Sequence, residues 1–546
     1  MSTIDWVILI TTLCGIIMYG IYKSRTTKNL DGYFLSNRSM PWYLVLLSIM
    51  GTQASAITFL SAPGQAYTDG MRFVQYYFGL PIAMVVICIF FVPVFRKLKV
   101  YTAYEFLENR FDRKTRSLTS GLFLISRGLS TGISIYAPSI ILSSLLGWNI
   151  YYTNLVMGGL LIIYTMSGGA KAVAYTQQLQ LIIIIAGMFL AGYMVVVLLP
   201  DGMGFSSAIE VAGNLGKMNV ITTGVANDHF DWKDKYNIWS GVIGGFFLAL
   251  SYFGADQSQV GRYLTARSEK ESRMGLLMNG LIKVPMQFLI LLVGILVFSF
   301  YQYHKAPVYF DKAKVIVAKQ TIYKDSLVNL EQQYNNALAT HNQSQTTALR
   351  AQYKSVLKAA IPGDDANDTN FIFLRFVIDN LPKGLVGLLI AVIFLAAWGS
   401  IAAALNSLAS CTVVDFHKPF INPDCSEARD YSISRWYTFG WGVFSVIVAM
   451  FAHNIGNSLI EAVNILGSLF YGVILGIFLV AFWIKHIKAN AIFAAALLGE
   501  LLVILVYKLD VISFLWLNVI GALLVIVLSL ILQPLLPTNK VAGKVV

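Results

Sequence analysis

Residues Gly384 to Asp415 read GLVGLLIAVIFLAAWGSIAAALNSLASCTVVD, which is the most informative stretch of the chain. A helix rises about 1.5 Å per residue and the hydrocarbon core of a bilayer is about 30 Å thick, so a run this long and apolar predicts a membrane-spanning helix. It also carries small and polar residues at close spacing: Ala396, Gly399, Ser400, Asn406 and Ser407. Such residues allow either close packing of helices or close approach of backbone and hydroxyl oxygens to a dehydrated cation, and both interpretations are open.

The composition places the rest of the chain in a membrane as well. Hydrophobic residues make up 57% of it and charged residues 12%, whereas soluble domains carry about 25% charged residues. The net charge of +12 is therefore interpreted as orienting the chain rather than as binding nucleic acid. The four cysteines, Cys14, Cys88, Cys411 and Cys425, indicate no disulfide framework.

Thirteen apolar spans are predicted along the chain. They cover residues 5–22, 41–62, 73–95, 117–146, 150–167, 178–200, 240–258, 275–303, 384–412, 434–452, 457–484, 489–507 and 511–534. Lys and Arg concentrate in the loops after the first, third and seventh spans, for example at Arg25, Lys28, Arg113 and Arg267. Because such loops stay in the cytoplasm, we expect the N-terminus outside, the C-terminus in the cytoplasm, and insertion in the plasma (inner) membrane.

Ten of these spans form the predicted core. Without the first span and the last two, two sets of five remain, and their orientations are opposite because five is odd. Two sets of five spans in opposite orientations are typical of an inverted repeat, in which discontinuous helices form the binding site. Span two fits with MGTQASAITFLSAPG (Met50–Gly64), and span seven fits less fully with GGFFLALSYFGADQSQ (Gly244–Gln259). The predicted domains are residues 1–40 (an extra helix and a cytoplasmic loop), 41–488 (the ten-helix core) and 489–546 (two extra helices and a short cytoplasmic tail).

A long polar insertion, residues 304–383, interrupts the core on the predicted outer side. Its sequence, rich in Ala, Leu, Gln and Lys, predicts one or two amphipathic helices joined near His341 to Ser344. A solvated helical cap without a ligand role is the favoured interpretation.

The residue types do not favour an enzyme. The six histidines fall in loops or at span ends, and the sequence shows no paired histidines, carboxylate cluster or glycine-rich phosphate loop. The ionisable residues within spans are few, and they are Lys283, Arg127 and Glu500. For Lys283, snorkelling to the interface and facing a substrate cavity are equally open. Structural roles are favoured for Arg127 and Glu500.

Four motifs resemble those of the solute:sodium symporter (sodium/glucose cotransporter) family. They are GYFLSNRSMPWYL (Gly32–Leu44), YTMSGGAKAVAYTQQLQ (Tyr164–Gln180), DQSQVGRYLTA (Asp256–Ala266) and ALNSLASCTVVDFHKP (Ala404–Pro419). SAITFLSAPGQAY in span two and IYAPSIIL (Ile135–Leu142) resemble the iodide, multivitamin and monocarboxylate branch more than the sugar branch. The resemblance implies an all-α polytopic membrane protein of about 13 transmembrane helices, with a leucine-transporter-type 5+5 inverted repeat.

The resemblance also implies one central sodium site. Its ligands would be the carbonyl groups of Gly51, Ala54 and Ala396 and the hydroxyl group of Ser400. Gly399 stands where the family often has a first hydroxyl residue, so water or Thr52 is expected to supply the missing oxygen.

A second sodium site, present in some relatives, is not expected. It needs an Asp and two hydroxyl residues where this chain has Gln177, Ala402 and Ala403. The resemblance therefore implies one sodium ion per cycle.

The substrate cavity implied by the resemblance lies between spans two, three, seven, eight and eleven. Its candidate residues are Gln53, Ser55, Thr58, Gln75, Tyr76, Tyr77, Tyr252, Phe253, Lys283 and Asn464. Tyr252 and Phe253 match the family's inner aromatic gate, and Lys283 matches a lysine of sugar-transporting relatives. Three sugar contacts, a Glu, an Asn and a Gln, are replaced here by Tyr77, Ala249 and Val463. A small anion such as a monocarboxylate is therefore favoured.

These observations predict a sodium-coupled secondary symporter that imports a small organic solute by alternating access. The expected partners are the solute, the sodium ion and the lipid bilayer, without nucleic acid and without a cofactor other than the coupling ion. Sodium/sugar or polyol symport is the alternative within the class, and a channel or a non-transporting sensor is the alternative outside it. The sequence predicts no oligomeric state.

Overall fold

The computed structural model describes residues 1–24, 30–340, 342–363, 366–423, 427–452 and 458–536. Within these ranges the chain is helical except for one antiparallel hairpin of β1 (Val225–Ala226) and β2 (His229–Phe230) and the connecting loops. Arg25, Lys28, Cys425 and the predicted joint at His341 lie outside the described residues.

Twenty-two α-helices account for the described secondary structure. The first ten are α1 (Thr3–Ser24), α2 (Leu30–Leu35), α3 (Trp42–Gln53), α4 (Ala56–Asp69), α5 (Leu80–Val86), α6 (Val92–Leu98), α7 (Glu105–Arg110), α8 (Arg113–Leu146), α9 (Ile150–Val197) and α10 (Phe205–Asn214). The others are α11 (Gly245–Gly254), α12 (Gln257–Leu264), α13 (Glu269–Tyr303), α14 (Lys312–Ala318), α15 (Lys324–Ala339), α16 (Gln343–Ala360), α17 (Thr369–Asn380), α18 (Leu385–Cys411), α19 (Glu427–Phe451), α20 (Leu459–Trp483), α21 (Ala489–Leu509) and α22 (Phe514–Leu532). Segments of 3-10 helix (Ser36–Arg38, Gly70–Tyr77) and π-helix (Ile87–Phe91, Ser240–Gly244, Thr412–Ile421) lie between them.

All thirteen predicted spans coincide with helical segments. By length and composition, nine helices in the described residues are able to cross a membrane, and shorter apolar helices cover Trp42–Gln53, Ile150–Met166 and Ser240–Gly254. The prediction of an all-helical membrane protein is confirmed. The third span begins as an α-helix only at Leu80, because the 3-10 segment Gly70–Tyr77 takes up the residues before it.

The long helix α9 supplies two of the predicted spans. The hydroxyl oxygens of Tyr164 and Thr176 lie 2.8 Å apart, whereas twelve residues of straight helix would separate their backbones by about 18 Å. The axis of α9 is therefore strongly bent between the segments Ile150–Met166 and Val173–Val197.

Spans two and seven are each broken near the middle. In span two, α3 ends at Gln53, Ser55 is extended (φ −82°, ψ 170°), and α4 begins at Ala56. In span seven, α11 ends at Gly254, and Asp256 (φ −77°, ψ 118°) precedes α12 and caps it by accepting a hydrogen bond from Ser258 N at 2.7 Å. The break in span seven, which the sequence indicated less clearly than the break in span two, is thus also present.

Helix α18, which is nearly all of the Gly384–Asp415 stretch, lies at the centre of the molecule and is almost wholly buried. It packs against α1, α3, α8, α9 and α19. The carboxylate of Asp5 in α1 accepts hydrogen bonds from Gly384 N (2.6 Å) and Gly387 N (3.1 Å) at its N-terminus. At the other end, Asp415 accepts hydrogen bonds from Arg116 and Ser120 of α8, both at 2.8 Å. Both helix-packing contacts and the candidate cation ligands therefore lie on the same helix.

The insertion forms a helical cap. Helices α15 and α16 pack against each other around a small apolar core of their own, which includes Leu327, Leu330, Tyr353 and Leu357. The prediction of two amphipathic helices is confirmed. The additional helix α17 packs on α4 so closely that a Cβ atom on Gly64 would lie 2.0 Å from the Thr369 carbonyl oxygen. We call the face of the molecule that carries this insertion the cap face.

Candidate functional site

A cavity of about 150 Å³ lies beside the break in span two. Its walls come from the broken span, from α8, α11, α13, α18 and α20, and from the segment before α5. The polar and aromatic lining residues are Thr52, Gln53, Ser55, Thr58, Tyr76, Tyr77, Arg127, Ser130, Thr131, Ser134, Tyr252, Phe253, Lys283, Ser400, Asn464 and Tyr471. Nine of the ten predicted substrate residues are among them, so the structure gathers most of that set around one space.

The tenth, Gln75, does not line the cavity. Its amide side chain is fully buried and hydrogen-bonds Thr222 Oγ1 (3.0 Å) and the Tyr236 carbonyl (3.1 Å), which belong to the loop between α10 and α11. Gln75 lies in the same 3-10 segment as Tyr76 and Tyr77, but these hydrogen bonds hold its side chain away from the cavity.

The break in span two leaves carbonyl groups without their usual helical partners. The N–H of Ser55, which would donate to Gly51 in a continuous helix, donates to the Gln53 carbonyl at 2.9 Å. The N–H of Thr58, four residues after Ala54, donates to the Ser55 carbonyl at 3.0 Å. Carbonyl groups of Gly51 and Ala54 are thereby released from the ladder, as at any helix end.

Ser400 on α18 lines the same cavity. Its hydroxyl group donates to the carbonyls of Ala396 (3.0 Å) and Ala397 (3.1 Å), one turn earlier. Because a hydroxyl group has one proton and two lone pairs, this bond leaves its lone pairs free to accept or to coordinate. α18 also packs on both α3 and α4, so the predicted ligand residues sit on neighbouring helices.

Gln177 of α9 bridges these helices. Its Nε2 donates to the Gly399 carbonyl (3.1 Å) and to Thr52 Oγ1 (3.2 Å), and its Oε1 accepts from Ser48 Oγ at 2.9 Å. The side chain is fully buried. A neutral amide thus connects α3 with α18 beside the predicted sodium ligands.

The two glycines of the predicted sodium site make room for this amide. A Cβ atom on Gly51 would lie 2.9 Å from Gln177 Cβ, and one on Gly399 would lie 3.2 Å from Gln177 Cγ and 2.5 Å from Gln180 Oε1. The missing hydroxyl side chain at Gly399 and the glutamine at 177 are therefore linked features, because a larger residue at 399 would collide with the glutamines.

Lys283 faces the cavity rather than the membrane interface. Only 2% of the residue is exposed, and it lines the cavity with its ammonium group 5.7 Å from the centre of the Tyr77 ring. No carboxylate lies within ion-pair distance of it among the residues that the structure describes. Of the two predicted placements, snorkelling to the interface and facing a cavity, the structure shows the second.

Arg127 also lines the cavity, which the sequence interpretation missed. Its guanidinium group lies 5.8 Å from the Tyr252 ring centre and 3.9 Å from Asp256 Oδ2. Asp256 also accepts a hydrogen bond from Tyr471 Oη at 2.7 Å. A signal was present, because Arg127, Ser130 and Ser134, at helical spacing, share one face of α8. Glu500, by contrast, is buried in α21 away from the cavity, as its assignment to a structural role predicts.

The predicted aromatic gate belongs to the Arg127 side of the cavity. Tyr252 contacts Phe253 (ring centres 5.0 Å apart) and Tyr471 (5.9 Å), and its hydroxyl group accepts a hydrogen bond from Gln259 Nε2 at 2.7 Å. Tyr252, Phe253 and Tyr471 therefore form an aromatic wall next to the break in span seven.

Toward the cap face, a second polar network lies one helical turn from the cavity. Glu461, in the first turn of α20, accepts hydrogen bonds from Lys235 Nζ (3.1 Å) and Tyr236 Oη (2.9 Å). Gln65 of α4 joins it by accepting from Ser458 Oγ at 2.7 Å and by contacting Glu461. α4 and α20 are thus bonded to each other above the cavity.

Comparison with known proteins matches this arrangement to transporters. A family model described as "Sodium:solute symporter family" matches residues 33–339 and 348–499. The sodium/sialic acid symporter SiaT of Proteus mirabilis is 26% identical over 541 residues, which cover 98% of this chain and 96% of that protein. The sodium-coupled monocarboxylate transporter 1 of Xenopus laevis is 26% identical over 478 residues, which cover 86% and 65%.

A solved structure of a Na⁺-coupled sialic acid symporter, in a substrate-bound outward-open state, resembles the whole molecule. It has a TM-score of 0.79 at 24% sequence identity and covers 99% of both chains. The likeness confirms the predicted leucine-transporter-type fold. Relatives named for different solutes match at equal identity, so the matches point to a family and not to a branch within it.

Proposed function

We propose that this chain, which belongs to the sodium:solute symporter family and is a sodium-coupled solute symporter rather than an enzyme, imports a small organic anion with one sodium ion per cycle. A monocarboxylate is the proposed solute class, which would place the chain nearest the iodide, multivitamin and monocarboxylate branch. The observation that carries the proposal is the charge of the cavity. Lys283 and Arg127 both line it, and none of the described lining residues is acidic.

An anion fits these walls for a physical reason. A cation buried in a membrane protein is costly unless it is paired or faces a water-filled cavity. Asp256 lies near Arg127, but Lys283 has no such carboxylate. A carboxylate solute would supply the missing charge, while Ser130, Thr131 and Ser134 offer hydroxyl groups for its polar atoms.

The proposed sodium ligands are the carbonyls of Gly51, Ala54 and Ala396 and the hydroxyl of Ser400. Gly399 contributes no side-chain oxygen. Thr52 Oγ1 already donates to the Ser48 carbonyl (2.8 Å) and accepts from Gln177, which leaves one lone pair, so water or Thr52 would supply the missing ligand. Neutral oxygens suit a hard cation of low charge. Gln177 in place of a carboxylate supports one sodium ion per cycle.

In the proposed cycle, sodium holds the broken span two against α18 and prepares the cavity for the solute. Closure on the cap face and opening past Tyr252 and Phe253 would then release both inward. The extracellular side is proposed to be the cap face, with the C-terminus in the cytoplasm of a cell whose plasma (inner) membrane holds the protein. One charge moving down 100 mV supplies about 2.3 kcal/mol.

The test is uptake of a labelled monocarboxylate, such as lactate, into proteoliposomes with an inward gradient of Na⁺ or of choline. We expect uptake only with Na⁺, and we expect Ser400→Ala to raise the half-saturating Na⁺ concentration about tenfold. Ser407→Ala is the matched control, because Ser407 is also buried on α18 and bonds the carbonyl one turn earlier (2.8 Å) but lies outside the cavity.

Equal uptake in choline would rule out sodium coupling by this chain. Equal Na⁺ dependence in Ser400→Ala and the wild type would rule out the proposed sodium ligand. Na⁺-dependent uptake of glucose but not of lactate would favour the sugar or polyol alternative.

A further inference from the structure

A second cavity, of about 330 Å³, lies on the cap face between the cap and the end of α4. It is separate from the central cavity and shares no lining residue with it. Three of its lining residues are cationic, Lys217, Arg350 and Lys354, and none of the described lining residues is acidic. We propose that this cavity is an outer binding site for a small organic anion with two carboxylate groups.

Arg350 anchors the cavity from α16. Its Nη2 lies 3.0 Å from Asp368 Oδ2, and its guanidinium group lies 5.1 Å from the Phe310 ring centre and 5.8 Å from that of Tyr67 in α4. Its buried Nε has no hydrogen-bond partner among the described residues. A buried donor of this kind costs free energy unless a partner satisfies it.

The positive charges are not balanced by the protein. Asp368 is fully buried behind the cavity wall and already pairs with both Arg350 and Lys354 (2.6 Å). Burial raises the pKa of Asp368, but these two cations outweigh it and leave its pKa below the ordinary value of 3.8, so the carboxylate is charged at neutral pH. Asp69 lies near Lys217 without forming an ion pair with it in the described residues, so the three cations outnumber the carboxylates around the cavity.

Lys217 brings a positive charge from a different part of the chain, the loop after α10. Its ammonium group donates to the Thr68 carbonyl at the end of α4 and lies 5.2 Å from the Phe298 ring centre. Burial lowers the pKa of Lys217, Asp69 acts in the opposite direction, and the like charges of Arg350 and Arg72 lower it further. An anion placed between Lys217 and Arg350 would relieve that repulsion.

The rest of the wall is chemically suited to a carboxylate ligand. Thr68, Gln302, Tyr301 and Tyr334 line the cavity and carry hydrogen-bonding groups. Lys217 and Thr68 lie next to Asp69, which Gln65 of the α4–α20 network also contacts. An anion at this site would therefore sit beside the end of the broken span.

The experiment measures binding of succinate to the purified full-length protein in detergent by titration calorimetry, in choline buffer without Na⁺. Succinate carries two negative charges and succinamide, its neutral analogue, is the ligand control. The measurement is repeated in Lys283→Gln, which removes a cation of the central cavity. Persistence of binding in that variant distinguishes the outer site from the proposed solute site.

We expect one succinate per chain in the wild type and in Lys283→Gln, with no binding of succinamide. Lys217→Gln and Lys354→Gln should each raise the Kd about tenfold. Lys358→Gln is the matched control, since Lys358 is one turn further along α16, exposed and outside the cavity, and should bind as the wild type does. Thermal unfolding of each variant confirms that it is folded.

Absence of succinate binding at millimolar concentration, or equal affinity in Lys217→Gln, Lys354→Gln and the wild type, would overturn the outer site. Loss of binding in Lys283→Gln would do the same, because it would place succinate in the central cavity. Failure of Na⁺-dependent lactate uptake would leave the outer site intact, since its cations and its test involve neither sodium nor the central cavity.

Discussion

The two broken spans share a backbone plan but differ in chemistry. At the break in span two, the groups are neutral: released carbonyls, the hydroxyl groups of Ser48 and Thr52, and the amide of Gln177. At the break in span seven, the Asp256 carboxylate accepts a hydrogen bond from the Tyr471 hydroxyl group and lies 3.9 Å from the Arg127 guanidinium group. Neutral oxygens with free lone pairs suit a cation that must bind and leave, whereas a buried ion pair suits a contact that holds an aromatic wall in place.

The difference indicates that two breaks of the same architecture can serve different purposes, the binding of a cation at one and a structural ion pair at the other. A mobile Na⁺ competes poorly with a fixed guanidinium group for a carboxylate, so placing the proposed ion site and the ion pair at separate breaks keeps them from interfering. The following substitutions test this division, because each should act at one break and leave the other unchanged.

Asp256→Asn should have the largest effect. It leaves the Arg127 guanidinium group buried without a carboxylate and weakens the cap of α12, and breaking a buried pair in this way costs about 3–5 kcal/mol. We expect a large fall in the unfolding temperature in detergent and the loss of most uptake. Arg127→Met combined with Asp256→Asn removes both charges and should recover much of the stability. If the single variant is as stable as the wild type, the second break does not depend on charge.

Gly399→Ser tests the first break by restoring the hydroxyl residue that the family often has there. Its Cβ would lie 2.5 Å from Gln180 Oε1 and 3.2 Å from Gln177 Cγ, so we expect overpacking to lower the free energy of unfolding by about 1–3 kcal/mol. Adding Gln180→Ala should restore part of the loss. Gly159→Ser is the matched control, because a Cβ atom there meets nothing within 4 Å. A stable Gly399→Ser variant would mean that the glutamines do not restrict this position.

Thr52→Val should have the smallest effect. It removes two neutral hydrogen bonds, one accepted from Gln177 and one donated to the Ser48 carbonyl, each worth about 0.5–1.5 kcal/mol, while keeping the size of the side chain. Thermal unfolding should show a small shift, and the half-saturating Na⁺ concentration should change little because water can supply the missing ligand. A large increase in that concentration would instead make Thr52 the missing sodium ligand and would shift the proposed site.

Much of the fold was predictable because the membrane leaves few options for the backbone. Apolar runs in lipid must be helical, and the polar groups with Pro63 and Gly64 in span two indicated its break. The break in span seven carried a weaker signal, since only the polar end ADQSQ distinguished it. The resemblance to a known family brought Tyr76, Tyr77 and Lys283 into the candidate set, and all three line the cavity. Gln75, in the same 3-10 segment as the two tyrosines, instead hydrogen-bonds the loop between α10 and α11, a contact that the sequence does not indicate.

Arg127 and Gln177 show what the sequence left open about the site. The sequence analysis favoured a structural role for Arg127 and considered Gln177 only as a departure from the second sodium site. The contacts of both residues join positions more than a hundred residues apart, such as Arg127 with Asp256 and Gln177 with Gly399. The order of residues along the chain does not indicate which of them lie close together in the folded protein. The same holds for the cap, where Arg350 meets Tyr67 of the core.

The membrane-spanning character of Gly384–Asp415 and the helical, polytopic fold follow from the sequence alone, because hydropathy and helical period are properties of neighbouring residues. The grouping of Ala396 and Ser400 with Gly51 and Ala54 as sodium ligands came from the resemblance to a known family and stays a prediction. That Gln177 and Gln180 occupy the space beside Gly399, and that Lys283 and Arg127 line one cavity, is apparent only from the packing of the helices. Such features depend on helices that pack side by side although they are distant in the chain, and close packing leaves no room for a larger residue.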